Sequence, residues 1–329
     1  FNIYFSRVIL PEPITVTFGL SALWFFIRYI DTDSKLALYI SAVFFAVGTL
    51  LKPFIFFYSI PIIYLIAEKY GLKKALKNSK VLIPLLIYAN IVLIPFFAWR
   101  VYINQYPQGI PHFWWAFNGD DIRFKPAFWR WIFSERLGDL LLGVWGLVPF
   151  SYALLTKLKG KYPYFNHFFL LGMFLYVSTF ATASVRHDYY QTLVVPAVTL
   201  ALAQGVLGLW NTDKFDRLFA RVMVVFSVFV MLVTTAPEIR AFYQINHPEI
   251  LEAGKAVDET VPEDALVIAP YNGDTAFLYQ TKRRGWPVVE ESFEELIEKG
   301  ADYYVSVNFA DPDTIKLMEE YEVVEKTSQ

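Results

Sequence analysis

The chain is 329 residues long, 56% hydrophobic and 19% aromatic, and carries a formal net charge of −2. That charge gives no basis for binding nucleic acid. The lack of cysteine excludes disulfides, thiolate metal sites and a cysteine nucleophile. The chain opens at Phe1, with no initiating methionine and no signal peptide. It reads as lacking its N-terminal part, or as trimmed.

In chain order, apolar runs predict about eight membrane spans, by the test of roughly 17–25 apolar residues with few charges. They are 13–30, 36–51, 54–67, 81–99, 136–156, 165–185, 190–210 and 217–235. The short runs 36–51 and 54–67 meet at Lys52-Pro53, where proline removes a donor and favours a new helix start. One set of alternating loops is dense in lysine and arginine, from Arg28 and Lys35 through Lys69–Lys80 and Lys157–Lys161 to Lys214–Arg221. The opposite junctions carry only Arg7, Lys52 and Arg186, with a few more in the long loop 100–135. The denser set is expected to be cytoplasmic. Glu12, Lys52, the long loop, the stretch Arg186–Gln191 and the C-terminal region then share the external side of the cytoplasmic membrane.

The long loop mixes rings and charges: Tyr106-Pro107, His112-Phe113-Trp114-Trp115, Asp120-Asp121-Ile122-Arg123-Phe124 and Phe128-Trp129-Arg130-Trp131. That pattern suits a helix lying in the interface. It serves equally as an aromatic anchor or as substrate contact.

Arg186-His187-Asp188-Tyr189-Tyr190-Gln191 interrupts two apolar runs. Such polar groups beside lipid are costly to hold, so they mark a site. Arginine offers a planar fork of donors, and tyrosine and histidine offer single directed ones, a set suited to an anionic phosphate.

From about residue 245 the composition becomes that of a soluble domain. Strands are expected at 265–269, 303–307 and 321–324, with helices at 293–299 and from Pro312. This alternation predicts a small parallel α/β domain. Asn272-Gly273-Asp274 after the first strand is an ordinary strand-to-helix turn more readily than a phosphate loop. The whole reads as a polytopic α-helical membrane region over 1–240 and a soluble α/β domain over 246–329.

The order of four motifs resembles the GT-C membrane glycosyltransferases, nearest the branch of protein mannosyltransferases and the aminoarabinose–lipid A transferase. The motifs are Leu10-Pro11-Glu12-Pro13-Ile14-Thr15, Lys52-Pro53, Ile122-Arg123-Phe124, and His187-Asp188-Tyr189-Tyr190 before Leu193-Val194-Val195-Pro196. The likeness runs over roughly 1–235. It departs at Glu12, where the family usually has aspartate, and at Leu51, where it often has threonine. The resemblance implies a GT-C-like bundle and transfer of a sugar from a polyprenyl-phosphate donor to an acceptor glycan, lipid or protein outside the membrane. It also implies that the main catalytic acid lies upstream of Phe1, so this chain alone is expected to be inactive.

On that resemblance Lys52, Arg123, Arg186, His187, Tyr189 and Tyr190 bind the donor. Cationic donors stabilise the charge that grows on the leaving phosphate. Glu12 is a supporting catalytic group, and as an oxygen ligand it is also a candidate for a divalent cation. Each has a plainer reading. Glu12 complements a helix start, Lys52 snorkels, Arg123 sits solvated on an interfacial helix, and the Arg186–Tyr190 groups anchor the interface. Two other functions compete: a transporter or flippase of lipid-linked sugars, and a membrane-anchored binding module. A transporter tends to show internal repeats and mid-membrane polar breaks, which are not evident in the sequence. An anchor needs no aligned external charges.

Overall fold

The computed structural model describes residues 1–106, 114–244 and 247–326. It divides into two compact units, Phe1–Tyr243 and Gln244–Gln329. The first part of the long aromatic loop, 107–113, lies outside the described residues.

The first unit is helical. Among the described residues, three helices are long and apolar enough to cross a membrane: Glu12–Thr32, Ser79–Ile103 and Arg217–Ala241. Three shorter apolar helices join them, Lys35–Leu51, Phe165–Thr179 and Val195–Trp210. Glu12–Thr32 starts at Pro11-Glu12-Pro13, where proline is pre-organised and an acidic side chain meets the positive helix end. It ends at Asp33, which takes the left-handed conformation with φ 55. Ser34 then caps the next helix, its side chain accepting from the Ala37 N–H. A link this short forces the two helices antiparallel. The Ser41 hydroxyl donates to the Ala22 carbonyl across them at 2.7 Å. The hairpin therefore brings the start of one helix and the end of the other, Glu12 and Lys52, to the same end of the bundle.

Four expected spans are not single continuous α-helices. The 54–67 run opens as a 3-10 turn, Pro53–Tyr58, before the helix Ser59–Tyr70. Lys52 is extended at φ −154, ψ 114, as the residue before a proline must be. The 136–156 run is a π-helix, Trp131–Leu141, followed by a reversal and the helix Leu147–Leu154. Gly143 and Val144 both take positive φ, 48 and 58. The 165–185 run breaks at Phe180 into Phe165–Thr179 and Ala181–Arg186. The 190–210 run begins as a 3-10 turn, Asp188–Leu193, before Val195–Trp210. The bundle core carries large buried rings, among them Phe26, Tyr58, Phe128, Phe169 and Tyr176.

The second unit is a three-stranded parallel sheet in the order β2-β1-β3, with β1 Leu266–Ile268, β2 Arg284–Trp286 and β3 Tyr303–Tyr304. Helical crossovers between the strands make the parallel pairing possible. Leu266 aligns with Arg284, and Val267 with Tyr303. Gly285 has φ 147 and lies where a Cβ would strike the Val267 backbone. The core gathers Ile250, Val257, Val267, Ala269 and Phe277. The Asn272-Gly273-Asp274 turn acts as a helix start, the Asp274 carboxylate accepting from the Ala276 N–H at 2.8 Å. The 321–324 segment, expected as a strand, pairs with no strand among the described residues. Its residues instead line an apolar cavity of about 590 Å³ beside β3.

Candidate functional site

Three breaks in regular helix converge at one place: the extended residue Lys52, the break at Phe180, and the turn 186–193. Their shared packing is aromatic. Phe54 meets Phe180 at 3.9 Å between ring centroids, and Tyr176 and Tyr190 at 5.6 Å each. The Tyr58 hydroxyl donates to the Leu193 carbonyl at 2.9 Å.

At the centre is Lys52. Its ammonium pairs with the Glu12 carboxylate, 40 positions away in sequence. It also lies 4.2 Å from the Tyr190 ring centroid, 5.1 Å from Phe54 and 5.4 Å from Tyr189. Each such contact contributes about 0.5–2 kcal/mol, more when desolvated. Glu12 is 0% exposed and Lys52's side chain 14%. Burying both charges costs several kcal/mol per ion unless geometry and added contacts offset it. Here the rings offset part of the lysine's cost. The second Glu12 oxygen, Oε2, has no hydrogen-bond partner among the described residues, so within them the carboxylate leans on Lys52.

The 184–193 turn is fixed through its backbone. Gln191 donates to the Ser184 carbonyl at 2.9 Å, and Tyr176 to that of Tyr190 at 3.3 Å. Arg136, on the π-helix, donates to the Val185 carbonyl at 2.8 Å and pairs with Asp188 at 2.8 Å. Between those anchors Arg186 and His187 stand exposed. The His187 ring stacks on Tyr189 at 5.2 Å and meets Trp115 edge-on at 5.9 Å. Partial burial of the ring, then the Arg186 charge, hold the His187 imidazole below its ordinary pKa although the residue is exposed; Lys52 adds to this and Asp188 opposes it. At neutral pH the ring is uncharged and offers one donor and one acceptor.

The structure thus gathers Glu12, Lys52, His187, Tyr189 and Tyr190 at one site. Arg186 sits at its rim, close enough for its charge to act on His187. Arg123 lies on a different contact. It donates to the Thr179 carbonyl at 3.0 Å, beside the Phe180 break, and its Nε has no hydrogen-bond partner among the described residues. Next to it the Thr182 hydroxyl accepts from the Gly119 N–H at 2.7 Å. Arg136 and Phe54 escaped the sequence reading, and Asp188 and Trp115 entered it only as members of the polar turn and the aromatic loop. Arg136 stood at the edge of an apolar run, 52 positions from Asp188, and nothing local signals that pairing.

The residues present do not form a divalent-cation site. The Glu12 carboxylate meets an ammonium, and among the described residues no three His, Asp or Glu side chains gather for a metal.

Residues 2–99 match the model of the family described as dolichyl-phosphate-mannose-protein mannosyltransferase. That match relates the chain to the GT-C membrane glycosyltransferases. It spans Glu12 and Lys52 and stops short of Arg123 and the 186–190 turn. No curated protein and no solved structure matches the chain. The family match over this part of the chain and the apolar helices support an integral membrane protein of the glycosyltransferase kind.

Proposed function

We propose that residues 1–240 form the donor side of a membrane glycosyltransferase that takes a sugar from a polyprenyl phosphate. The acceptor, a glycan, lipid or protein, lies on the external face, and 246–329 is a soluble domain on that same side. One observation carries this reading: Lys52, held by Glu12, meets the Tyr189–Tyr190 pair from more than 130 positions away. A cation, an imidazole and two phenols at one membrane-edge site suit a phosphate monoanion. The family match and the sparse basic residues on this side support the reading.

In the reaction the acceptor oxygen bonds to the anomeric carbon. The bond from that carbon to the phosphate oxygen breaks, and its electron pair leaves with the phosphate. The acceptor's proton passes to a base. Lys52 and Arg186 stabilise the growing charge, with Tyr189 or His187 adding a directed hydrogen bond. Arg123, one N–H on Thr179, contributes from the long loop. Glu12 supports rather than abstracts, because its carboxylate is fully buried and its charge is engaged by Lys52. The polyprenyl tail lies among the phenylalanine-rich helices.

The test is sugar transfer from a polyprenyl-phosphate donor by membranes carrying the full protein. Lys52→Ala is expected to lower turnover on the order of 10²–10³-fold. Arg186→Lys is expected to lower it as well, since a point charge does not reproduce the fork. Near-normal turnover in both, at equal membrane insertion, would sink the assignment.

A further inference from the structure

One arginine outside the sequence-derived site sits directly beneath it. Arg136 projects from the π-helix Trp131–Leu141, and π-helical segments frequently occur at functional sites because they re-aim side chains. Its guanidinium makes two contacts of equal length. One nitrogen donates to the Val185 carbonyl at 2.8 Å, and the other pairs with the Asp188 carboxylate at 2.8 Å. These two residues bracket Arg186 and His187, the exposed tip of the turn. One planar fork therefore spans the base of the tip and fixes where both side chains project.

The same contact disposes of a charge. Asp188 neighbours His187 in sequence, and a free carboxylate there would favour the imidazolium. In the structure Asp188 Oδ1 is taken by Arg136, while the His187 ring packs between Trp115 and Tyr189. The charged groups facing His187 are Arg186 and Asp188 on its own turn and Lys52 from the neighbouring break, with Arg136 behind Asp188.

We propose that Arg136 is a positioning residue: it clamps Val185 and Asp188, aims Arg186 and His187 into the site, and keeps Asp188 off the imidazole. Its purpose rests on the donor-site reading above, but its action on His187 does not. Arg136 touches no substrate in this scheme.

The chain has four histidines, so the His187 titration can be followed by NMR on histidine-labelled protein in detergent, its signals assigned with His187→Gln. In Arg136→Gln the unclamped carboxylate turns to the imidazole, and the His187 midpoint rises by about one unit. Arg136→Lys keeps the charge, and with it the fold, but loses the fork; the midpoint rises less. Arg136→Gln combined with Asp188→Asn returns it close to the wild-type value, because no free carboxylate remains. A loss of packing alone would not be reversed by the second substitution. A His187 midpoint unmoved in the folded Gln and Lys variants overturns the clamp. Farnesyl phosphate added to the same samples tests the donor-site reading separately. It perturbs the wild-type His187 signals, and binds at least tenfold more weakly to Arg136→Gln. Wild-type signals indifferent to it overturn the donor site, while the clamp still stands or falls on the midpoint.

Discussion

Two lysine–carboxylate–tyrosine groupings in the helical unit use the same chemistry in opposite surroundings. They lie at the two ends of the helix Glu12–Thr32. At its start, Glu12 and Lys52 are 0% and 14% exposed, and three aromatic rings surround the ammonium. At its end, Asp33 meets Lys69 at 2.5 Å and Tyr70 at 3.0 Å, and Asp31 meets Lys161 at 2.6 Å, largely in the open. The exposed grouping staples three chain segments at small cost and small gain, as surface pairs do. The buried one is expensive to maintain and contributes little net stability against an apolar substitute. A fold in need only of a staple has the cheap form at hand, at the other end of the same helix. Retention of the costly form at the aromatic site argues for a use beyond packing.

The comparison breaks most readily through Glu12. Replacing Glu12 with Ala strands Lys52 among rings, with an expected loss of about 3–5 kcal/mol, read as a lower thermal midpoint in detergent. Replacing both, Glu12→Gln with Lys52→Met, should recover most of that stability and still abolish sugar transfer. A double variant that retains transfer would reduce the buried pair to another staple.

Next in size is the ring nearest Lys52. Tyr190→Phe keeps the face over the ammonium, and Tyr190→Leu removes it. The leucine variant should be less stable than the phenylalanine one by about 1–2 kcal/mol. Equal stabilities would mean that the cage adds packing and no cation binding.

The exposed end should yield the smallest effect. Asp33→Asn is expected to cost at most about 1 kcal/mol, and less at high salt. Hydrogen bonds from Lys69, then Tyr70, hold the Asp33 carboxyl below its usual pKa. A carboxyl depressed in the folded state stabilises above its unfolded pKa, and that contribution fades as pH falls through the folded value. The wild-type midpoint should therefore soften on acidification below the ordinary carboxylate range, with Asp33→Asn softening less. A larger acid response in Asp33→Asn would show that the group matters in some other way.

How much of this was legible in the sequence depended on whether the signal was local. The Arg186–Gln191 interruption stood out because six polar or phenolic residues broke two apolar runs, and Lys52-Pro53 stood out because proline dictates a break. Both proved to be departures from regular helix that meet. Arg136 was invisible: an arginine at the head of an apolar run looks like an interface anchor, and its meaning lies in Asp188. The expected spans at 54–67 and 136–156 are interrupted in the structure, which hydropathy misses because it counts apolar residues without sensing backbone. Pro53 tightens one into a 3-10 turn, and the Gly143-Val144 reversal splits the other. In the second unit, β2 was missed because Arg284-Gly285-Trp286 is short and carries glycine, while the alternating 321–324 segment promised a strand that the sheet does not pair.

The two-residue link Asp33-Ser34 also bears on how the chain enters a bilayer. A helix that begins with an acid and a helix that ends before a base each present a bare charge when inserted alone. Joined so tightly, they can pass into lipid as one hairpin, with the opposite charges arriving together and cancelling before either is stranded. The link then acts as a timer: a long flexible insertion between Asp33 and Ser34 would leave every contact of the finished structure available, yet let the first helix commit before its counter-charge arrives.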